Sequence, residues 1–255
     1  SNKDKLLQES LYQTMDPQSP EARFQRALAW IDRLKQEPFN QTTEQKLANH
    51  PFLLAAENGT LTLAQKRAFV CEQLAIQRSD AISFAHLAGH TDFRPKSLAS
   101  IQTPPPKNKP YYKEYDDLFQ FLLGGELYAA NLLLDHAKYL GLEGEDAIQT
   151  CQGSLSPLAQ AYPSYWSRLA LGGQRAAGAA ACAVNFPAWG KMCGRLAEAY
   201  KKADQSLAGN CKELEFIEFF AATIATLDEM AAAVMMQDQE ISYEEMVQHV
   251  RLLQE

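Results

Sequence analysis

Residues 175–196 read RAAGAAACAVNFPAWGKMCGRL, and the first half of that stretch is almost all small side chains: Ala176, Ala177, Gly178, Ala179, Ala180, Ala181, Cys182 and Ala183. Ala is the best helix former, so the run predicts a helix despite Gly178. A helix without bulky side chains either lets other helices approach closely or leaves room beside it for a ligand. Asn185, Phe186 and Pro187 follow. Pro187 cannot donate to the carbonyl four residues back and pushes Phe186 out of the α region. A kink or break is expected there, with the helix resuming through Met192, Leu196 and Ala199. Phe186 and Trp189 then make an aromatic rim, so the stretch reads as a pocket wall. Tight helix packing around a proline kink is the alternative reading.

Helical signals recur on both sides, and no segment sustains the alternation of a strand, which predicts an all-α fold of about eight to ten helices in one domain over 1–255, with residues 1–40 as an N-terminal helical extension. Residues 4–15 form a weak amphipathic segment. Pro20 marks a helix start, carried by Phe24, Ala27, Leu28, Ile31 and Leu34 and stopped before Pro38. Capping-box patterns stand at Thr42 with Gln45, Thr62 with Gln65, and Ser242 with Glu245. The first opens a helix toward Ala56 with an interruption at Pro51, and Asn58 with Gly59 ends it. The second opens a long helix from Leu63 to about Ala88. Residues 102–110, QTPPPKNKP, read as a loop inside one domain. Further helices are expected from Tyr112 to Leu140, Glu145 to Cys151, Leu158 to Leu171, and Cys211 to Met236. The last of these is apolar nearly all round and is expected at the bundle centre.

Composition narrows the function classes. The chain has 255 residues, 46% hydrophobic and 22% charged, with a net charge of -7 and no basic run. Such a surface does not suit nucleic acid or an anionic membrane, and no apolar stretch has the length of a membrane span. The polar N-terminus lacks a signal-peptide pattern. The cysteines are Cys71, Cys151, Cys182, Cys193 and Cys211. An odd count without C-x-x-C reads as reduced thiols in a cytoplasmic protein.

Residues 50–73, HPFLLAAENGTLTLAQKRAFVCEQ, resemble the opening of the TenA/THI-4/PqqC family of the haem-oxygenase-like fold, CADD-like proteins included. That family shows a His-Pro-Phe-like segment, a short acidic loop ending in Gly, a Leu-Thr start and a long helix. The resemblance extends from about His50 to Met236. It implies a helical bundle with one buried pocket per subunit, usually in a homodimer. It leaves the reaction open among thiaminase-type hydrolysis of aminopyrimidines, cofactorless oxidation and di-metal oxygenation.

Carried over position by position, the resemblance places Glu72 where an Asp on the long helix holds the aminopyrimidine. It places Cys182 at the nucleophile of a Pro-Cys-x-Trp-x-Tyr-x-x-x-Gly pattern, with Gly190 at the final Gly. Ala181, Val184 and Phe186 replace the Pro, Trp and Tyr, which speaks against thiaminase activity. A di-metal site needs His and carboxylate ligands on four helices. The segment that would carry a Glu and a His seven apart is residues 121–131, FLLGGELYAAN, without His. The one that would carry His-x-x-x-Asp-x-x-His is residues 219–226, FFAATIAT, with Phe219, Thr223 and Thr226 at the ligand positions. No metal and no cofactor are therefore expected.

The candidate site residues follow. Glu72 shares a stripe with Ala68, Ala75, Ser79, Ile82 and His86. It is expected to be buried beside the small-residue helix, with a raised pKa suited to proton transfer or to gripping an amine. Cys182 is the candidate nucleophile, which requires a lowered pKa; a buried inert thiol is the alternative. Phe186, Trp189 and Phe219 would stack on an aromatic ligand. Glu215 and Glu218 offer a second acid, a solvated edge being the alternative. His86 lies four residues from His90, a metal-clamp spacing without an evident third ligand, and counts as a ligand-binding candidate. His136 reads as solvated or capping, and His50 as structural. Three functions remain: metal-independent transformation of a small heteroaromatic or cofactor-precursor molecule, with Glu72 as general acid or base; non-catalytic binding of an aromatic small molecule or a protein by a dimeric relative; and a thiaminase-type hydrolase with a degenerate site.

Overall fold

The computed structural model describes residues 16–88, 118–143, 151, 155–209, 211–238 and 240–255, and among these no strand occurs. Helix α1 (Pro20–Lys35) starts with Pro20 at its first turn and Ser19 capping the Ala22 amide. Helices α2 (Pro38–Ala48) and α3 (Pro51–Glu57) each open on a proline, a position where the missing N–H costs nothing. His50 caps α3 by accepting the Phe52 amide, the structural role the sequence suggested. Helix α4 (Leu63–Ala88) begins at the Thr62–Gln65 capping box. Helix α5 (Leu118–Tyr139) ends before Gly141, whose φ of +71° needs a residue without Cβ. Arg67 of α4 donates to the Leu140 carbonyl at 2.8 Å across that turn. Then come α6 (Ala161–Leu171), α7 (Arg175–Ala203), α8 (Glu215–Ala221), α9 (Leu227–Met235) and α10 (Tyr243–Gln254). The last opens on the Ser242–Glu245 capping box.

Helix α7 is the axis. It packs against α1, α2, α3, α6, α8, α9 and α10. Its small-residue half lies in a core cluster with Phe24, Phe84, Phe119, Trp166 and Met246. Its second half, from Cys193 to Tyr200, lies in another cluster with Leu53, Val70, Leu133 and Phe216. A Cβ on Gly178 would sit 3.2 Å from both Phe119 and Trp166, so the small residues serve close packing here. Helix α1 belongs to the first cluster, so the N-terminal extension contributes directly to the core.

Several expectations are corrected. Pro187 neither ends nor divides its helix: α7 runs through it as one element, because neighbours on nearly every side hold the backbone that one missing hydrogen bond would loosen. The expected helix from Cys211 to Met236 is two helices, with residues 222–226 between them. Thr42 does not start a helix; it lies inside α2, its hydroxyl bonded to the Pro38 carbonyl. Cys71 and Cys151, expected reduced, form a disulfide between residues 80 positions apart with Cα atoms 4.7 Å apart. Spacing rules find neighbouring cysteines and cannot see that pairing. Cys182, Cys193 and Cys211 are free. The segments 4–15 and 102–110, the helix from Glu145, the start of the helix from Tyr112, and His90 lie outside the described residues.

His136, expected solvated or capping, is instead buried against Tyr200 of the second cluster. His136 is fully buried, its Nδ1 donating to the Glu213 carbonyl at 2.5 Å and its Nε2 without a partner among the described residues. Burial, aided by the charge of Lys66, holds its pKa below the ordinary value against the opposing pull of the Glu213 bond. A base with a depressed folded pKa binds its proton first in the unfolded chain. Its contribution is therefore intact above about pH 6.5 and is lost as pH falls below that value. Urea unfolding at pH 7 and pH 5 is expected to show a stability loss smaller in His136→Gln than in the parent; equal losses would place the sensitivity elsewhere.

Candidate functional site

A cavity of about 1750 Å³ lies among these helices, larger than the ~300–1,000 Å³ of an ordinary small-molecule site. Its lining draws on α4 (Gln73, Gln77, Asp80), α5 (Gly125, Glu126), α6 (Tyr162, Tyr165), α7 (Phe186, Trp189), α8 (Phe219, Phe220) and the 222–226 link. It reaches the surface at exposed Asp32 and Glu255. The link between α8 and α9 forms cavity wall, which gives the break in the apolar segment a place in the architecture.

The aromatic wall is the part the sequence anticipated. Phe186, Trp189 and Phe219 all line the cavity. Phe219 packs edge-to-face with Tyr128 at 5.4 Å and with Phe220 at 5.2 Å, and Trp189 with Phe220 at 6.0 Å. Such contacts fix ring orientations while leaving faces for a guest.

The acid is another matter. Glu72 does not line the cavity. It is half-buried, and its carboxylate accepts from the Ser156 amide and the Gln160 side chain, both at 2.5 Å. The stripe read as inward faces outward, with Ile82 66% exposed and His86 exposed. The buried face of α4 carries Gln73, Gln77, Asp80 and Ser83 instead. Glu218 pairs with Lys201 at 2.7 Å, and neither Glu218 nor Glu215 lines the cavity. His86 is likewise outside it.

Two carboxyls that the sequence did not single out occupy the cavity wall. Asp80 is 4% exposed and Glu126 7%, and Asp80 Oδ1 and Glu126 Oε2 have no hydrogen-bond partner among the described residues. Neither makes an ion pair among those residues. Burial pushes the Asp80 pKa up to about 8. Burial and then the neighbouring Asp80 push Glu126 well above the carboxylate range. Gln77 Oε1 is also buried and unpartnered. Tyr162 on α6 and Cys182 on α7 belong to the same neighbourhood. Burial, with Asp80 and Glu126 nearby, raises the pKa of both. Cys182 is thus held as a thiol, the reverse of what a nucleophile requires.

The donor set does not suit a transition-metal pair. Asp80 and Glu126 stand without an imidazole, and among the described residues no group of three or more His, Cys, Asp or Glu could hold a metal ion. No helix among those residues is long and apolar enough to cross a membrane.

The model of the TENA/THI-4/PQQC family matches residues 40–253, and the chain belongs to that family. Its all-helical architecture agrees with that membership. Searches of curated proteins and of solved structures gave no match.

Proposed function

We propose that this protein binds a small heteroaromatic molecule in the α4–α8 cavity, ring against Phe186, Trp189 and Phe219, polar edge toward Asp80 and Glu126. The observation that carries this reading is the pair of buried carboxyls with unpartnered oxygens beside an aromatic wall, since buried polar groups are ordinarily satisfied. In the catalytic form of the reading, a carboxyl kept protonated at neutral pH acts as general acid, and the carboxylate it leaves takes a proton back as base. Glu72, placed in this role by resemblance, instead positions α6, which carries Tyr162 and Tyr165. Cys182 lies in the core behind the cavity wall and does not line it, so it is proposed as an inert buried thiol. The reading needs no metal and assigns the protein to a homodimer, following the habit of the family; a cytoplasmic location rests on composition and is opposed by the bonded Cys71–Cys151 pair.

The test is calorimetric titration with 4-aminopyrimidine. Binding is expected, and Trp189→Ala is expected to weaken it by up to about tenfold, the worth of one aromatic contact. Unchanged affinity in Trp189→Ala and Phe219→Ala together would count against the cavity as the binding place. A binder without catalysis would bind the ring and return it unaltered on prolonged incubation.

A further inference from the structure

The two carboxyls come from facing helices, α4 and α5, and each is more than nine-tenths buried. Neither has an ion-pair partner among the described residues, and the cations of the cavity lining are Lys35, tied to Asp228, and the exposed Arg168 and Lys191. On α5 the neighbour of Asp80 is Glu126; on α6 it is Tyr162, with Arg168 at the exposed rim; on α7 it is Cys182, with Lys191 at the exposed rim. On α8, Glu218 is tied to Lys201, and Glu215 lies off the cavity. On α9, Asp228 is tied to Lys35, and Glu229 lies at the half-exposed rim. Two adjacent buried carboxyls that face no cation cannot both ionise, so the pair keeps protons at neutral pH.

We propose that the cavity takes its ligand as an organic cation in exchange for a proton: a cationic group on an aromatic body enters between Asp80 and Glu126, and one carboxyl releases its proton to solvent as it does so. The inference rests on the cavity being the aromatic binding site and adds to it the charge state of the guest. The balance is simple. The O–H bond of one carboxylic acid breaks, its proton goes to buffer, and the carboxylate left behind pairs with the arriving charge. The aromatic wall supports the same guest, because a cation over the faces of Trp189, Phe186 or Phe219 is attracted by their ring quadrupoles. The second carboxyl keeps its proton and donates to its neighbour or to the ligand. Affinity then rises with pH through the range in which the pair holds its protons, by up to tenfold per pH unit for one proton exchanged.

The experiment compares benzamidine, cationic across the whole range used, with benzamide, its neutral near-isostere. Both are titrated by calorimetry at pH 6.0, 7.0 and 8.0 in buffers of low and high ionisation enthalpy. The expected result is benzamidine affinity rising several-fold to tenfold per pH unit, with close to one proton released at pH 6.0, while benzamide affinity stays flat. Asp80→Asn and Glu126→Gln are each expected to reduce the proton release and flatten the benzamidine profile; two variants guard against one that fails to fold. Benzamide binding with benzamidine excluded, or benzamidine binding without proton release, overturns the exchange and leaves the aromatic site standing. Failure of both probes to bind at millimolar concentration removes the aromatic site itself and the exchange with it.

Discussion

Asp80→Asn is expected to stabilise the protein at pH 7 by a few kcal/mol. The carboxyl has an ordinary pKa of 3.8 and is pushed up to about 8 in the fold. An acid with a raised folded pKa is protonated first in the folded state. Its contribution is therefore intact below about pH 4 and is lost as pH rises toward about 8. At pH 7 most of that loss has occurred, and every tenfold difference in proton affinity between the folded and unfolded chain is worth about 1.4 kcal/mol. Asn keeps the shape and removes the ionisation. For a chain of this size, the melting temperature rises by about 2–4 °C per kcal/mol. The measurement is thermal unfolding from pH 4 to pH 8 for parent and variant. Curves that meet near pH 4 and separate as pH rises are the expected result. Parallel curves would mean that a neighbouring group already compensates Asp80. A stabilising loss of a buried acid is the mark of a group retained for what it does to a ligand.

The second large effect is destabilising. Trp166→Ala is expected to cost about 3–5 kcal/mol, the usual range for an aromatic side chain removed from a closed core. Trp166 is fully buried on α6. It meets Phe84 of α4 edge-to-face at 5.1 Å and Tyr162 at 6.5 Å, and its ring fills the space over Gly178 of α7. Three helices that enclose the cavity therefore share one side chain. Chemical denaturation reads the loss directly. A cost under about 1 kcal/mol would mean that the surrounding helices close over the gap, which the tightly packed Gly178 face resists.

The fold was legible because its signals are local. Pro20, the Thr62–Gln65 pair and the Ser242–Glu245 pair announce helix starts through bonds made within three residues, and such bonds do not depend on the rest of the chain. The aromatic wall was legible for a related reason: Phe186 and Trp189 flank a proline beside a run of alanines. The acid was not legible. Glu72 and Asp80 sit eight positions apart on one helix, roughly 80° apart around its axis at 3.6 residues per turn. Small residues line the outer face of α4 (Ala75, Ser79), while Gln73, Gln77 and Asp80 line the inner one. A rule that sends polar residues outward assigns the wrong face to a helix whose interior side is built for a polar guest. Glu126 was hidden likewise, in a segment read only for the histidine it lacks. The break at residues 222–226 carries no glycine or proline, so its cause is tertiary: the chain opens there to form cavity wall.

The bond between Cys71 and Cys151 makes the chain from one to the other a closed ring. Any single cut of the backbone inside that ring leaves the two pieces joined, so α1 to α3 stay covalently tied to α6 and everything after it. Glu72, next in sequence to one end of the ring, holds Ser156 and Gln160 just past the other end. The crossing point of the ring is thus sealed twice, once by sulfur and once by a carboxylate. An insertion between residues 72 and 150 would enlarge the ring without moving the place where it closes.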